Sequence, residues 1–239
     1  MRWPVAGVRW ALETMTDRNS PLPATAGLAA GGRAPAVDAT PGIADPAGEL
    51  PFQDGTLQLE GDLSLFHGGS LAGVRLAWRI AGPAGTPVVA ALGGISAHRR
   101  VYSTEARETG WWHEVAGPGQ AFPADRLRVL SFDYLGGSGE TTGPRDGQDF
   151  PSISSYDQAE LLRRLLDHLG IRALRAIVGA SYGGMVALAF GERHPDRVEQ
   201  LVVVSASDRT HPMSTAWRSV QRRMVRFAID CGRPKDGLQ

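Results

Sequence analysis

Five residues, Gly179-Ala180-Ser181-Tyr182-Gly183, constrain this chain more than any other stretch. The apolar run Leu174-Arg175-Ala176-Ile177-Val178 enters them, and a small-residue segment with helical character, 185–193, leaves them and stops before Pro195. A serine on a sharp strand-to-helix turn sits in strained backbone and projects its hydroxyl over the carboxyl edge of a sheet. Gly179 and Gly183 keep the adjoining chain clear of that turn, and Gly184 permits close helix packing. The amides at the start of the new helix favour negative charge developing there. Ser181 is therefore predicted to be a nucleophile, with the Tyr182 N–H as one donor of an oxyanion hole. An incidental serine in a glycine-rich turn would match the pattern but not this context.

The rest of the chain supplies the sheet that such a turn requires. Leu57, Leu59, Leu63 and Leu65 alternate with polar residues, as do Val74, Leu76, Trp78 and Ile80, with Gly68-Gly69 between them; this predicts a hairpin or meander. Residues 87–92 and 128–133 are short continuous apolar runs of the kind found in buried parallel strands. A helix is predicted over 153–169, capped by Ser154 or Ser155 and ended at Gly170, and a fourth buried strand over 198–205. Strand and helix in alternation predict a mostly parallel sheet with helices on both faces, and the serine turn within it points to an α/β-hydrolase fold. The exit 91–94, Ala-Leu-Gly-Gly, is the apolar strand end suited to the second oxyanion donor, assigned to Leu92, although its glycines would also suit a plain turn.

Composition narrows the surroundings. Residues 1–55 include a stretch rich in Pro, Ala and Gly with no period, predicted to be a disordered extension, leaving 56–239 as the folded domain. Lys+Arg and Asp+Glu are both 25, which gives no reason to expect nucleic acid or an anionic membrane as partner. The single cysteine, Cys231, rules out an internal disulfide and has no companions for a metal site, so none is expected. No secretory or membrane-spanning segment is read from the sequence, and a cytoplasmic location is the expectation.

Several further motifs resemble the homoserine O-acyltransferases, α/β-hydrolase-fold enzymes of methionine biosynthesis. They are 91–94, Gly110-Trp111-Trp112 with Gly117-Pro118-Gly119, the loop Asp133-Tyr134-Leu135-Gly136-Gly137-Ser138-Gly139-Glu140-Thr141-Thr142-Gly143-Pro144, Asp149-Phe150-Pro151, and 179–185. The resemblance implies acyl-CoA as co-substrate, L-homoserine as acceptor, no permanently bound cofactor, and a ping-pong reaction through an acyl-Ser181 intermediate. Residues 92–100, Leu-Gly-Gly-Ile-Ser-Ala-His-Arg-Arg, resemble the branch using succinyl-CoA more than the one using acetyl-CoA. The family's carboxylate-binding arginine corresponds to Arg226, with Arg222 and Arg223 close by. The stretch 210–229 corresponds to the start of a lid, and a homodimer is left open.

A serine hydroxyl needs a general base, itself oriented by a carboxylate. After Ser181 the sequence holds only His194 and His211. His194 reads as a helix cap, and His211 and Asp208 come earlier than the family's catalytic pair. The resemblance implies a truncated chain, lacking the C-terminal strands of the fold and inactive alone. An esterase or thioesterase, and a non-catalytic fragment, are the competing readings.

Overall fold

The computed structural model describes residues 50–104, 109–137, 139–144 and 149–233. Residues 1–49 of the extension predicted over 1–55 lie outside them. The described residues divide into two compact units after Ala206.

The first unit is built on ten strands: β1 (Phe52–Gln58), β2 (Leu63–Ser64), β3 (Ser70–Leu71), β4 (Arg75–Ala81), β5 (Val88–Leu92), β6 (Ala116–Gly117), β7 (Phe122–Pro123), β8 (Arg128–Phe132), β9 (Ala176–Ala180) and β10 (Leu201–Val204). Two helices, α1 (Ser155–His168) and α2 (Tyr182–Arg193), belong with them. Six strands form one sheet in the order β1-β4-β8-β5-β9-β10. β8, β5, β9 and β10 run parallel, whereas β1 and β4 are antiparallel at one edge. This is the mostly parallel α/β arrangement expected from the sequence.

The sheet starts earlier than residue 56. β1 begins at Phe52, paired along its whole length with β4, and its first half shows no alternation in the sequence. Asp54 pairs across the strands with Arg79, and Gly55 lies opposite Trp78, whose ring would stand 2.2 Å from a Cβ at that position. The indole fills the place of the missing side chain. β2 and β3 form a small hairpin between β1 and β4, turning at Gly68 and Gly69, both with positive φ.

Successive residues of a strand face opposite sides of a sheet. Ala90, Leu92, Leu130, Phe132 and Ile177 share one buried cluster with Leu161, Leu162, Leu165 and Leu166 of α1 and with Val186, Ala187 and Phe190 of α2. Val89, Ala91, Val129 and Ala176 share the other with Val101, Tyr102, Ala116 and Phe122, from the segment between β5 and β8. Helices were expected on both faces. Among the described residues, the second face is covered by this largely irregular segment, where Trp111 and Trp112 stack with centroids 5.0 Å apart. Large aromatic rings cover the sheet there without a helical stripe.

α1 starts where the sequence indicates. Ser154 caps it, and Asp157 completes a reciprocal capping box; Asp157 also accepts a hydrogen bond from the Phe66 N–H at 2.8 Å, tying the β2–β3 hairpin to the helix. Gly170 follows with φ +65°, the left-handed conformation that ends many helices.

The second unit contains α3 (Pro212–Asp230), capped by His211, whose Nδ1 accepts from the Met213 N–H at 3.2 Å. Cys231 is exposed at its C-terminal end. No helix among the described residues is long and apolar enough to cross a membrane.

Candidate active site

β9 delivers the chain to Ser181, and α2 begins one residue later. Ser181 has φ 53° and ψ −116°, a backbone conformation that L-residues rarely adopt. Its N–H is held by the Val204 carbonyl at 2.9 Å, its own carbonyl accepts from Gly184 at 3.0 Å, and its side chain is exposed and makes no capping bond. The strain is thus fixed by the neighbouring strand and by the first turn of α2.

The glycines around it answer to specific crowding. A Cβ on Gly179 would lie 2.3 Å from the Gly183 carbonyl oxygen, and one on Gly184 would lie 2.5 Å from the Ala206 Cβ. A Cβ on Gly183 would lie 2.1 Å from the Leu92 carbonyl oxygen. The last contact brings the end of β5 against the elbow. Leu92 is the final residue of β5, 1% exposed, and in register with Gly179. The structure therefore gathers Ser181, Tyr182 and Leu92 at one edge of the sheet. The Tyr182 N–H belongs to the first helical turn, where no carbonyl four residues back exists within the helix to take it.

The segment after β5 is held from two directions. The Gly93 carbonyl accepts the Gly183 N–H at 2.8 Å and the Tyr134 hydroxyl at 2.9 Å. Further along, Asp133, 1% exposed, accepts from the Arg99 N–H at 2.8 Å, Arg99 Nη1 at 2.5 Å and the Glu140 N–H at 2.8 Å. Arg99 Nη2 also donates to Glu140 at 2.6 Å. Arg79 grips Asp54 in a bidentate pair at 2.8 and 2.7 Å. Burial pushes the Asp54 carboxyl up, but the Arg79 hydrogen bond, the charge of Arg79 and that of Arg99 together leave it below its ordinary value.

The loop that carries the resemblance is anchored to the antiparallel edge. Thr141 Oγ1 accepts the Ala77 N–H, and Thr142 Oγ1 the Arg75 N–H, both at 2.9 Å. Gln158, fully buried on α1, bonds both the N–H and the carbonyl of Leu135. An open cavity of about 220 Å³ lies between this loop and the elbow; Ile95, Tyr134, Leu135, Phe150 and Tyr182 are among its walls, and none of its lining residues is charged. The Tyr134 and Tyr182 rings meet edge to face, with centroids 5.0 Å apart. Burial pushes both phenols up, so each remains a protonated donor at neutral pH.

The other candidates are placed as follows. His194 caps the C-terminal end of α2, with its ring against Phe190 and Nε2 3.8 Å from Glu160. Burial lowers its pKa, only partly opposed by Glu160. A 12-residue helix separates it from Ser181, about 18 Å at 1.5 Å per residue, so it is not the base. Asp208, His211 and Arg226 all belong to the second unit and are exposed, Asp208 against Arg209 at 3.3 Å and Arg226 on α3 beside Arg222 and Arg223. Among the described residues, no group of three or more His, Cys, Asp or Glu could hold a metal ion. Sequence reasoning missed the Arg99–Asp133–Glu140 network and Tyr134. The one local signal was a carboxylate, Asp133, closing an otherwise apolar strand.

A strained serine at a strand-to-helix turn, over the carboxyl edge of a sheet with this strand order, defines the nucleophile elbow of an α/β hydrolase. Residues 104–239 match the α/β-hydrolase fold family, and the chain belongs to it. It is 40% identical over 165 residues to the homoserine O-succinyltransferase of Xanthomonas campestris pv. campestris, covering 69% of this chain and 42% of that protein. It is 41% identical over 142 residues to the serine O-succinyltransferase of Emericella nidulans, covering 55% of this chain and 28% of that protein. The homoserine O-acetyltransferase of Symbiobacterium thermophilum is 33% identical over 181 residues, covering 70% and 47%. Among solved structures, the homoserine O-acetyltransferase of Staphylococcus aureus superposes with a TM-score of 0.67 at 24% identity, covering 74% of this chain and 53% of that one. Esterase E22 superposes with a TM-score of 0.65 at 22% identity, covering 73% and 53%. The chain spans less than half the length of these curated relatives.

Proposed function

We propose that this chain carries the nucleophile of a homoserine O-acyltransferase, moving a succinyl group from succinyl-CoA to the hydroxyl of L-homoserine, in the cytoplasm, on the route to methionine. The observation that carries the reading is the backbone of Ser181, φ 53° and ψ −116°, at a turn packed against Leu92. The resemblance of the surrounding loops to O-acyltransferases supports it.

In the first step the Ser181 oxygen attacks the thioester carbonyl and its proton passes to a base. The carbonyl electron pair moves onto oxygen, facing the Tyr182 and Leu92 N–H groups, and collapse of the adduct expels CoA as the thiol. In the second step the acceptor hydroxyl attacks the acyl-Ser181 ester, and the serine leaves with a proton. Arg226 is the proposed holder of a substrate carboxylate. Water must be kept from the ester for transfer to prevail over hydrolysis. Serine is the alternative acceptor, favoured by the similarity to the Emericella enzyme.

His194 stands at the far end of α2 from Ser181, and the general base with its orienting carboxylate is proposed to come from outside the described residues. Loss of a triad partner costs roughly 10⁴- to 10⁶-fold. Against a typical kcat of about 10 s⁻¹, the chain alone is expected to form product at no more than ~10⁻³ s⁻¹. The test offers succinyl-CoA or acetyl-CoA with L-homoserine or L-serine and reads the O-acyl amino acid by mass spectrometry. It is run on the chain alone and on the chain joined to the C-terminal segment of the Xanthomonas relative. The joined protein is expected to make O-succinyl-L-homoserine; free succinate as the only product would sink the transferase reading.

A further inference from the structure

We propose that Tyr134 is a positioning residue that sets the oxyanion side of the site through the Gly93 carbonyl. This rests on the acyl-transfer reading of Ser181 and adds a residue to which that reading gives no part. The Gly93 carbonyl is the point where three segments meet. It terminates the run out of β5, accepts the Gly183 N–H of the elbow at 2.8 Å, and accepts the Tyr134 hydroxyl at 2.9 Å.

A carbonyl held by two donors from different directions cannot rotate about its peptide axis without breaking one of them. Peptide planarity fixes the Gly93 and Gly94 Cα atoms together with that carbonyl, and from the Gly93 Cα the chain runs back through a single peptide to Leu92. An oxyanion donor is useful only when its N–H is aimed beforehand at the place where charge will develop. Gly183 alone supplies one bond, and it moves with α2. Tyr134 supplies the second from the loop that follows β8, so the oxyanion segment is held both by the elbow and by the exit of a different strand.

The phenol is well suited to this. Its ring is 4% exposed and packs edge to face on Phe132 at 5.7 Å and on Tyr182 at 5.0 Å, so the hydroxyl has little freedom to leave Gly93. The adjacent Asp133 holds Arg99 at the far end of the same segment. Two consecutive residues after β8 thus grip both ends of 93–99. Only Tyr134 reaches the end next to the nucleophile.

The test uses the chain joined to the C-terminal segment of the Xanthomonas relative, which supplies the general base on which a Ser181-dependent rate rests. Release of p-nitrophenol from p-nitrophenyl acetate is measured for the wild type, Ser181→Ala, Tyr134→Phe and Tyr156→Phe. Tyr156 donates its hydroxyl to Glu192 on the surface and serves as the control for loss of a phenol. Hydrogen exchange of the peptide spanning 92–97 is followed in parallel. Tyr134→Phe is expected to lower the Ser181-dependent rate about tenfold through kcat with KM unchanged, and to speed exchange in 92–97 while the other central strands keep their protection. Tyr156→Phe is expected to leave both unchanged.

Unaltered exchange in 92–97 would overturn the proposal, as would faster exchange with an unaltered Ser181-dependent rate. If wild type and Ser181→Ala release p-nitrophenol equally, the nucleophile reading fails and the catalytic part of the proposal falls with it, whatever the exchange shows.

Discussion

Gly183→Ala is expected to destabilise the protein by about 3 kcal/mol, near the upper end of what one added methyl usually costs. Alanine is favoured over glycine inside a helix by about 1 kcal/mol, so helix propensity alone would predict a gain. The geometry reverses the sign. The new Cβ would stand 2.1 Å from the Leu92 carbonyl oxygen and 2.4 Å from its carbon, both backbone atoms at the end of a central strand. Neither can rotate aside as a side chain would. β5 must separate from α2, and the Gly183 N–H bond to Gly93 lengthens as it does. For a domain of this size the thermal midpoint is expected to fall by about 6–12 °C, read by calorimetry or by the loss of far-UV circular dichroism. An unchanged or raised midpoint would show that the elbow is not packed against β5 as described.

The second large effect is expected from Asp133→Ala. Its carboxylate accepts three hydrogen bonds, two of them from Arg99, which is itself 6% exposed. Removing one partner of a buried pair leaves the other charge poorly compensated, at a cost of about 3–5 kcal/mol. Glu140 still reaches Arg99 at 2.6 Å and Asp54 lies 3.6 Å away, so the loss falls short of that for an isolated buried charge. Urea unfolding of the variant is expected to show a lower midpoint with a similar slope. Asp133→Asn, which keeps the shape and one acceptor oxygen, is expected to lose less. Equal stability of both variants and the wild type would remove Asp133 from the account.

Much of this fold was legible beforehand, for physical reasons that differ from element to element. β5, β8 and β9 are largely buried on both faces, and β10, half-buried at the edge of the sheet, is equally apolar, so each reads as a short apolar run bounded by turns. α1 announced itself through its leucine stripe and through Ser154, whose hydroxyl accepts from the first turn. The elbow was legible because a strained serine needs small neighbours, and the glycines stand where the structure shows backbone within 2.1–2.3 Å of a would-be Cβ.

What escaped was long-range and polar. Nothing local shows that Asp133 will meet Arg99 across 34 residues, or that Tyr134 will reach Gly93 across 41. The start of β1 was missed because Gly55 borrows the Trp78 ring from the opposite strand, which leaves no alternation to read. Coverage of the second face by stacked tryptophans has no period at all. The proposed role of Arg226 rests on the family resemblance, because the residue stands exposed on α3 and local pattern alone indicates a basic helix and nothing finer.

The most direct test of the central claim is a search for the acyl group on Ser181 itself. The 239-residue chain and its Ser181→Ala variant are each held with succinyl-CoA in the absence of acceptor, digested, and read by mass spectrometry. A single succinyl adduct, accumulating slowly, is expected on the wild-type peptide that contains Ser181 and absent from the variant. Equal labelling of the variant, or an adduct confined to another residue, would contradict it.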